Sequence, residues 1–106
     1  MTSSNIAQEK DRIKADIAAH KVILYMKGSK SMPMCGFSGQ VVHLLNGLNV
    51  PYETRNVLEN ETLRQAIKEF SDWPTIPQLY INGEFIGGCD IITELHQTGE
   101  LQRLLG

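Results

Sequence analysis

The chain has 106 residues, of which 42% are hydrophobic and 21% are charged, and its formal net charge is -2 at pH 7. These values predict one compact domain over residues 1–106 and exclude a disordered chain. They leave no basic surface for nucleic acid or for an anionic membrane, and no apolar run is long enough to cross a bilayer. The N-terminus lacks the pattern of a signal peptide, so we expect a cytoplasmic protein with reduced thiols.

Hydrophobic periodicity and turn residues predict eight elements in the order α-β-α-β-α-β-β-α. They are a helix over residues 5–19, a strand over 21–26, a helix from Cys35 to about Gly47, a strand over 51–57, a helix after Asn60, strands over 78–81 and 84–87, and a helix over 91–98. The expected helix caps are Asn5, Asn60 and Asp90. The dipeptide Asn82-Gly83 is a strong hairpin signal. This order predicts a small mixed sheet with helices on both faces.

Cys35 is the strongest candidate for chemistry. It opens a helix, where free N–H groups and the helix dipole stabilise a thiolate, and Lys27 at the end of the preceding strand adds positive charge. The competing interpretation is a buried, inert cysteine, and it applies to Cys89 as well. Ser38 occupies the position at which a C-x-x-C motif has its second cysteine. Cys35 must therefore wait for an external thiol or use its thiolate to bind a metal.

Three other features admit both a structural and a functional interpretation. WPTIP, residues 73–77, is a tight turn, or else Ile76 offers its backbone as an edge for an extended peptide. GGCD, residues 87–90, is a strand end with a helix cap, or else a helix N-terminus that receives a charged ligand. Arg64 lies off the apolar stripe of its helix, as a solvated side chain does. Trp73 is expected to serve packing, and the three histidines lack metal-ligand spacing.

Four motifs occur in a specific order and spacing. They are KG at residues 27–28, CGFS at 35–38, WPTIPQLYINGEFIGGCD at 73–90 and GEL at 99–101. Together they resemble the monothiol, CGFS-type glutaredoxins, and the likeness runs from about Asn5 to Leu105. The chain is most similar to the short, single-domain bacterial form. The resemblance implies a thioredoxin fold (glutaredoxin-like), with a four-stranded mixed sheet flanked by helices and an extra N-terminal helix.

The resemblance also implies a glutathione site. Cys35 matches the active thiol of the family. The implied glutathione contacts are the glycyl carboxylate with Lys27 and Arg64, the cysteinyl unit with the backbone of Ile76 before a cis Pro77, and the γ-glutamyl end with Cys89 and Asp90. Lys30 stands where many relatives have proline, which predicts a looser loop before Cys35.

Members of this family bind a [2Fe–2S] cluster between two protomers, pass it to acceptor apoproteins and pair with BolA-type proteins. Such a cluster needs four ligands, usually thiolates. One Cys35 from each protomer and two glutathione thiolates would supply them. The alternatives are a weak glutathione-dependent oxidoreductase that acts on mixed disulfides by the monothiol route, and a redox-inactive adaptor. The long loop between Lys27 and Cys35 favours a role as a cluster carrier. The family resemblance implies that the corresponding lysine and cysteine are closer together in dithiol glutaredoxins.

Overall fold

The structure is a computed structural model that describes residues 2–106, with side chains from Asn5 onward. Its elements are α1 (Thr2–Ala19), β1 (Val22–Met26), α2 (Gly36–Gly47), β2 (Glu53–Asn56), α3 (Glu61–Ser71), β3 (Gln78–Ile81), β4 (Glu84–Gly87), α4 (Cys89–Thr98) and α5 (Glu100–Leu105). The strands form a mixed sheet in the order β2-β1-β3-β4, in which β1 and β2 are parallel and the other pairs antiparallel. Within the described range, no helix is both long and apolar enough to cross a membrane.

Two hydrophobic cores cover the two faces of the sheet, because side chains alternate along a strand. Ile23 and Tyr25 of β1 belong to the core beneath α1 and α3, which also contains Ile13, Val57, Ala66, Ile67, Ile76 and Tyr80. The other β1 side chains belong to the core beneath α2, α4 and α5, with members such as Val41, Leu45, Leu79, Ile92 and Leu101. All five residues of β1 are buried. The predicted strand with two buried faces and the predicted helices on both sides are thus confirmed.

Several predicted helix and turn signals are confirmed, and others are wrong. Asn60 caps α3, since its side-chain oxygen accepts from the backbone N–H of Leu63 at 3.1 Å. Asn82 and Gly83 have φ values of 54° and 82°, as a tight hairpin turn requires. Asn5 is not a cap, because α1 already includes the three residues before it.

The start and end of α4 also differ from the prediction. The N-cap of α4 is Gly88, so Asp90 is not the cap and lies instead in the first turn of the helix. Gly99 ends α4 in the left-handed conformation and is also the N-cap of α5. The sequence did not reveal α5, because six residues are too few for a clear helical period.

The loop over residues 28–34 is fixed at its base. Gly28 and Pro33 form an isolated β-bridge. The backbone N–H of Gly28 donates to the side-chain oxygen of Asn56 at 2.9 Å, which ties the loop to the end of β2.

Lys30 fixes the middle of the same loop. Its ammonium donates to the backbone carbonyl of Tyr52 and lies 4.1 Å from the centroid of the Tyr52 ring, a cation–π contact. The hydroxyl of Tyr52 in turn bonds Asn46 of α2 at 2.8 Å. The looser loop expected from Lys30 is therefore not what the structure shows, because the lysine ties the loop to the segment before β2.

Gly28→Ala should destabilise the fold. Gly28 has a φ of +93°, and a Cβ there would lie 2.4 Å from the carbonyl oxygen of Met32 and 2.6 Å from the amide nitrogen of Met34. Left-handed strain and this backbone clash together should lower the free energy of unfolding by roughly 2–4 kcal/mol in urea denaturation. Gly83→Ala is the matched control, with a φ of +82° but nothing within 4 Å, and should cost only about 1 kcal/mol. Equal losses in the two variants would contradict the clash.

A candidate thiol and ligand-binding site

Cys35 forms the N-cap of α2, where its backbone is extended (φ -153°, ψ 139°). The pKa of its thiol lies below the ordinary value, chiefly because the backbone N–H of Ser38 hydrogen-bonds the sulfur. The N–H of Phe37, the charge of Lys27 and the Ser38 hydroxyl lower this pKa further, while partial burial opposes them. Cys35 is half-buried and not part of a disulfide, so its thiol is accessible at a helix start, and the lowered pKa favours the thiolate form.

Ser38 has a structural role that the sequence analysis missed. Its side chain is fully buried, and its hydroxyl oxygen accepts from the backbone N–H of Lys27 at 3.1 Å. This hydrogen bond joins the end of β1 to the first turn of α2. Ser38 therefore holds the helix that carries Cys35 against the sheet, in addition to replacing a second thiol.

A cleft of about 500 Å³ opens beside Cys35, which is within the size range of small-molecule sites. The six residues predicted for the site all line this cleft: Lys27, Cys35, Arg64, Ile76, Cys89 and Asp90. The loop after β1, the WPTIP segment and the start of α4 thus meet at one end of the sheet. The peptide bond between Ile76 and Pro77 is cis, as the resemblance implied.

Three cationic side chains border the cleft. Lys27, Arg64 and Lys68 all border it. Lys68 was not predicted from the sequence. It follows Arg64 by four residues on α3, and this spacing places the two side chains on one helix face. Arg64 lies 3.6 Å from Glu61, but its Nε is buried and has no hydrogen-bond partner among the described residues. An unpaired buried guanidinium N–H is unfavourable, and a bound carboxylate would satisfy it.

Trp73 and Gly88 shape another part of the cleft. The Trp73 ring packs against Phe85 with centroids 5.7 Å apart, as the expected packing role requires, but it also lines the cleft. Its indole N–H is buried and unpaired within the described part of the chain. A Cβ on Gly88 would lie 3.3 Å from the carbonyl oxygen of Pro77 and 3.4 Å from the Trp73 nitrogen. The glycine therefore keeps this side of the cleft open.

Cys89, the second free cysteine, differs from Cys35. Its side chain is only 8% exposed, and burial is the main reason why the pKa of its thiol is raised. As the first residue of α4, it contributes one of the free N–H groups at the helix start. Asp90 follows with an exposed side chain in the first turn. This arrangement offers a ligand backbone donors and a carboxylate, with the Cys89 thiol kept neutral.

The lowered pKa of Cys35 should be visible in alkylation kinetics. Because the thiolate is the nucleophile, iodoacetamide should modify Cys35 with a rate that rises at lower pH than the rate for Cys89. Ser38→Ala removes the hydroxyl donor to the sulfur and also the acceptor of the Lys27 N–H, but it leaves the backbone N–H of Ser38, so it should raise the inflection of the Cys35 profile by less than about one pH unit while it lowers the stability of the fold. Mass spectrometry quantifies each cysteine separately. A Cys35 profile that coincides with that of free cysteine would contradict the assigned environment.

The glutaredoxin family model matches residues 22–86 of the chain. An uncharacterised monothiol glutaredoxin of Synechocystis is 56% identical over 98 residues, which cover 92% of this chain and 92% of that protein. Probable monothiol glutaredoxin 2 of Rickettsia typhi is 60% identical over 89 residues, covering 84% and 80%. Monothiol glutaredoxin-S14 of Arabidopsis thaliana is 59% identical over 95 residues, covering 90% of this chain. The chain spans only 55% of that chloroplast protein.

Solved structures show the same architecture. The solution structure of reduced poplar apo GrxS14 matches with a TM-score of 0.78 and 56% identity, covering 89% of this chain and 86% of that one. The crystal structure of a buckwheat glutaredoxin–glutathione complex matches with a TM-score of 0.89, covering 99% and 94%. Its identity of 22% supports the fold alone.

Proposed function

The chain is a monothiol member of the glutaredoxin family with a thioredoxin fold, and we propose that it binds glutathione in the cleft and carries a [2Fe–2S] cluster between two protomers. Acceptor apoproteins would receive the cluster. One observation carries this proposal: a single thiol of lowered pKa, Cys35, opens on a cleft bordered by cations, and one of them, Arg64, has an unsatisfied donor. Ser38 stands where a resolving thiol would be.

The charges around the cleft suit glutathione, a tripeptide thiol with two carboxylates and one ammonium group. Arg64, with Lys27 and Lys68 beside it, would bind the glycyl carboxylate and satisfy the unpaired guanidinium N–H. The free amides at the start of α4 would bind the γ-glutamyl carboxylate, and Asp90 would bind its ammonium group. Ile76 would contribute its backbone to the cysteinyl unit. The thiol of the tripeptide would then lie beside Cys35.

A ligand count supports the cluster. Among the residues that the structure describes, no group of three or more His, Cys, Asp or Glu side chains could hold a metal ion. The Cys89 thiol is buried with a raised pKa, which disfavours the thiolate that a metal requires. Cys35 of two protomers and two glutathione thiols make the four thiolates of a [2Fe–2S] site. A site with ligands from four molecules comes apart readily, as delivery of a cluster requires.

A second activity, favoured by the lowered pKa of Cys35, is glutathione-dependent thiol–disulfide exchange. The Cys35 thiolate would attack the glutathione sulfur of a mixed disulfide, and the substrate thiolate would leave. A second glutathione thiolate would then attack the Cys35–glutathione disulfide, which releases Cys35 and forms glutathione disulfide. The long loop before Cys35 is our reason for placing this activity second to cluster transfer.

The proposed partners follow from the same resemblance and ligand count. The cluster-bound form would be a homodimer, and a BolA-type protein would be an alternative partner of the cluster-bound chain. We place the protein in the cytoplasm, where thiols are kept reduced.

Anaerobic reconstitution with iron and sulfide, using a reductant without a thiol, tests the carrier. We expect a coloured dimer with about one glutathione per chain on size-exclusion chromatography and acid extraction, and only when glutathione is added, because four thiolates are needed. Cys35→Ser should abolish the colour and the dimer. Cys89→Ser is the matched control and should retain most of both. A stable coloured monomer, a cluster formed without a small thiol, or equal loss in both variants would refute the proposed ligand set.

Removal of one cation should weaken glutathione binding. A hydrogen bond to a charged group contributes about 1.5–3 kcal/mol, and 1.4 kcal/mol is a factor of ten in affinity. Lys27→Ala and Arg64→Ala should therefore each raise the dissociation constant for glutathione roughly tenfold or more in calorimetric titration. Lys21→Ala, at the opposite end of β1 and exposed, is the matched control and should leave the affinity unchanged. An unchanged affinity for Lys27→Ala would remove Lys27 from the site.

A further inference from the structure

Gln78, the first residue of β3, is a polar side chain that is buried completely. Its side-chain nitrogen donates to the backbone carbonyl of Trp73 at 3.1 Å and to that of Thr75 at 3.2 Å. Its side-chain oxygen accepts from the hydroxyl of Tyr80 at 3.2 Å. These three bonds offset the cost of burying an amide, and they connect β3 to the segment WPTIP.

The orientation of this amide is fixed by its partners. Backbone carbonyls only accept hydrogen bonds, so the nitrogen of Gln78 must face Trp73 and Thr75. The hydroxyl of Tyr80, which is also buried, holds the amide oxygen on the other side. A half turn of the amide would place its oxygen against two carbonyl oxygens. Gln78 therefore holds two carbonyls of WPTIP in a defined direction.

The bond from Gln78 to Thr75 sets the direction of a neighbouring donor. The cis peptide bond of the described chain joins Ile76 to Pro77, so the bond between Thr75 and Ile76 is trans. In a trans peptide the C=O and the N–H point in opposite directions. Because Gln78 draws the Thr75 carbonyl inward, the Ile76 N–H points away from it, on the side where both residues line the cleft. This N–H has no hydrogen-bond partner within the described part of the chain.

The start of the WPTIP segment is held by the same amide. The N–H of Trp73 donates to the hydroxyl of Ser71 and to the carbonyl of Lys68, each at 3.2 Å, while Gln78 binds the Trp73 carbonyl. Both backbone groups of Trp73 are thus fixed. A donor that is held in place before a ligand arrives binds it more tightly, because less ordering is needed at that moment.

We propose, building on the proposed function, that Gln78 is a positioning residue that directs the N–H of Ile76 to the carbonyl oxygen of the cysteinyl unit of glutathione. Gln78 is not among the residues that border the cleft, so it acts through the backbone of Thr75 and Ile76. Its amide sets the affinity for the middle of the tripeptide, whereas Arg64 and the start of α4 bind the two ends.

Two ligands test this role: glutathione, and an analogue in which sulfur replaces the cysteinyl carbonyl oxygen. The thioamide sulfur is a weaker hydrogen-bond acceptor, and the charged ends of the two ligands are the same. Calorimetric titration with a reductant that carries no thiol gives both dissociation constants. We expect the parent protein to bind glutathione about fivefold more tightly than the analogue, which is within the range for one neutral hydrogen bond.

Gln78→Met keeps the approximate volume of the side chain and removes both donors. This variant should bind glutathione about fivefold more weakly than the parent and show no preference between the two ligands. A loss of stability alone would leave the preference intact, so this measurement separates positioning from a merely structural role. Urea denaturation verifies that the variant is folded under the titration conditions.

Two tyrosine variants form a matched pair. Tyr80→Phe removes the hydroxyl that orients Gln78, and it should lower both the affinity for glutathione and the preference about twofold. Tyr52→Phe removes a hydroxyl that bonds Asn46 outside the cleft, and it should keep both at the parent values. Tyr80→Phe decides the test if Gln78→Met does not fold.

The positioning role would be refuted by a parent protein that binds the two ligands equally. It would also be refuted if folded Gln78→Met, or Tyr80→Phe in its place, kept the preference of the parent or its affinity for glutathione. Equal loss of preference in Tyr52→Phe and Tyr80→Phe would refute it as well. A parent that binds neither ligand would instead overturn the glutathione site, and with it the proposed function.

Discussion

β1 pairs with β2 on one edge and with β3 on the other, and its five side chains alternate between the two cores. Because β1 is hydrogen-bonded on both edges and buried on both faces, its C-terminal end has a defined position in the sheet. Lys27 follows directly, and its backbone N–H binds the buried hydroxyl of Ser38. The first turn of α2, and with it Cys35, is thereby held at a defined position beside the sheet. The placement of the reactive thiol depends on this connection between a central strand and the next helix.

The cleft divides its polar groups by charge. The side chains of Lys27, Arg64 and Lys68 contribute cations, whereas α4 contributes free amides and the carboxylate of Asp90. Cys35 borders the same cleft as these charged groups. The pKa values of the two cysteines are shifted in opposite directions by backbone donors at Cys35 and by burial at Cys89. Two thiols with the same covalent chemistry thus differ in pKa because of their surroundings alone.

Features that depend on local pattern were predictable from the sequence, and features that depend on distant contacts were not. The double burial of β1, the Asn60 cap and the Asn82-Gly83 turn follow from periodicity and turn chemistry. The N-cap of α4 is Gly88, the residue that directly follows β4. Asp90 in the sequence suggested a helix start two residues later. Cys35 and Lys27 stood out from helix-start chemistry, Ile76, Cys89 and Asp90 were open alternatives, and Arg64 entered only through the family resemblance; the roles of all six stay predictions. Lys68 could have been found from its spacing of four residues from Arg64, whereas the contact of Lys30 needed a partner 22 positions away.

The contact between Lys30 and Tyr52 restrains this loop in a different way from a proline at the same position. Proline restricts the backbone through its covalent ring, and this restriction is insensitive to solvent composition. A lysine held by a carbonyl and an aromatic ring is a charge-based restraint, so high salt weakens it, and acylation of the amine abolishes the cationic part. Ionic strength and acylation of Lys30 should therefore change the stiffness of the loop before Cys35. Neither would change a restraint imposed by the ring of a proline.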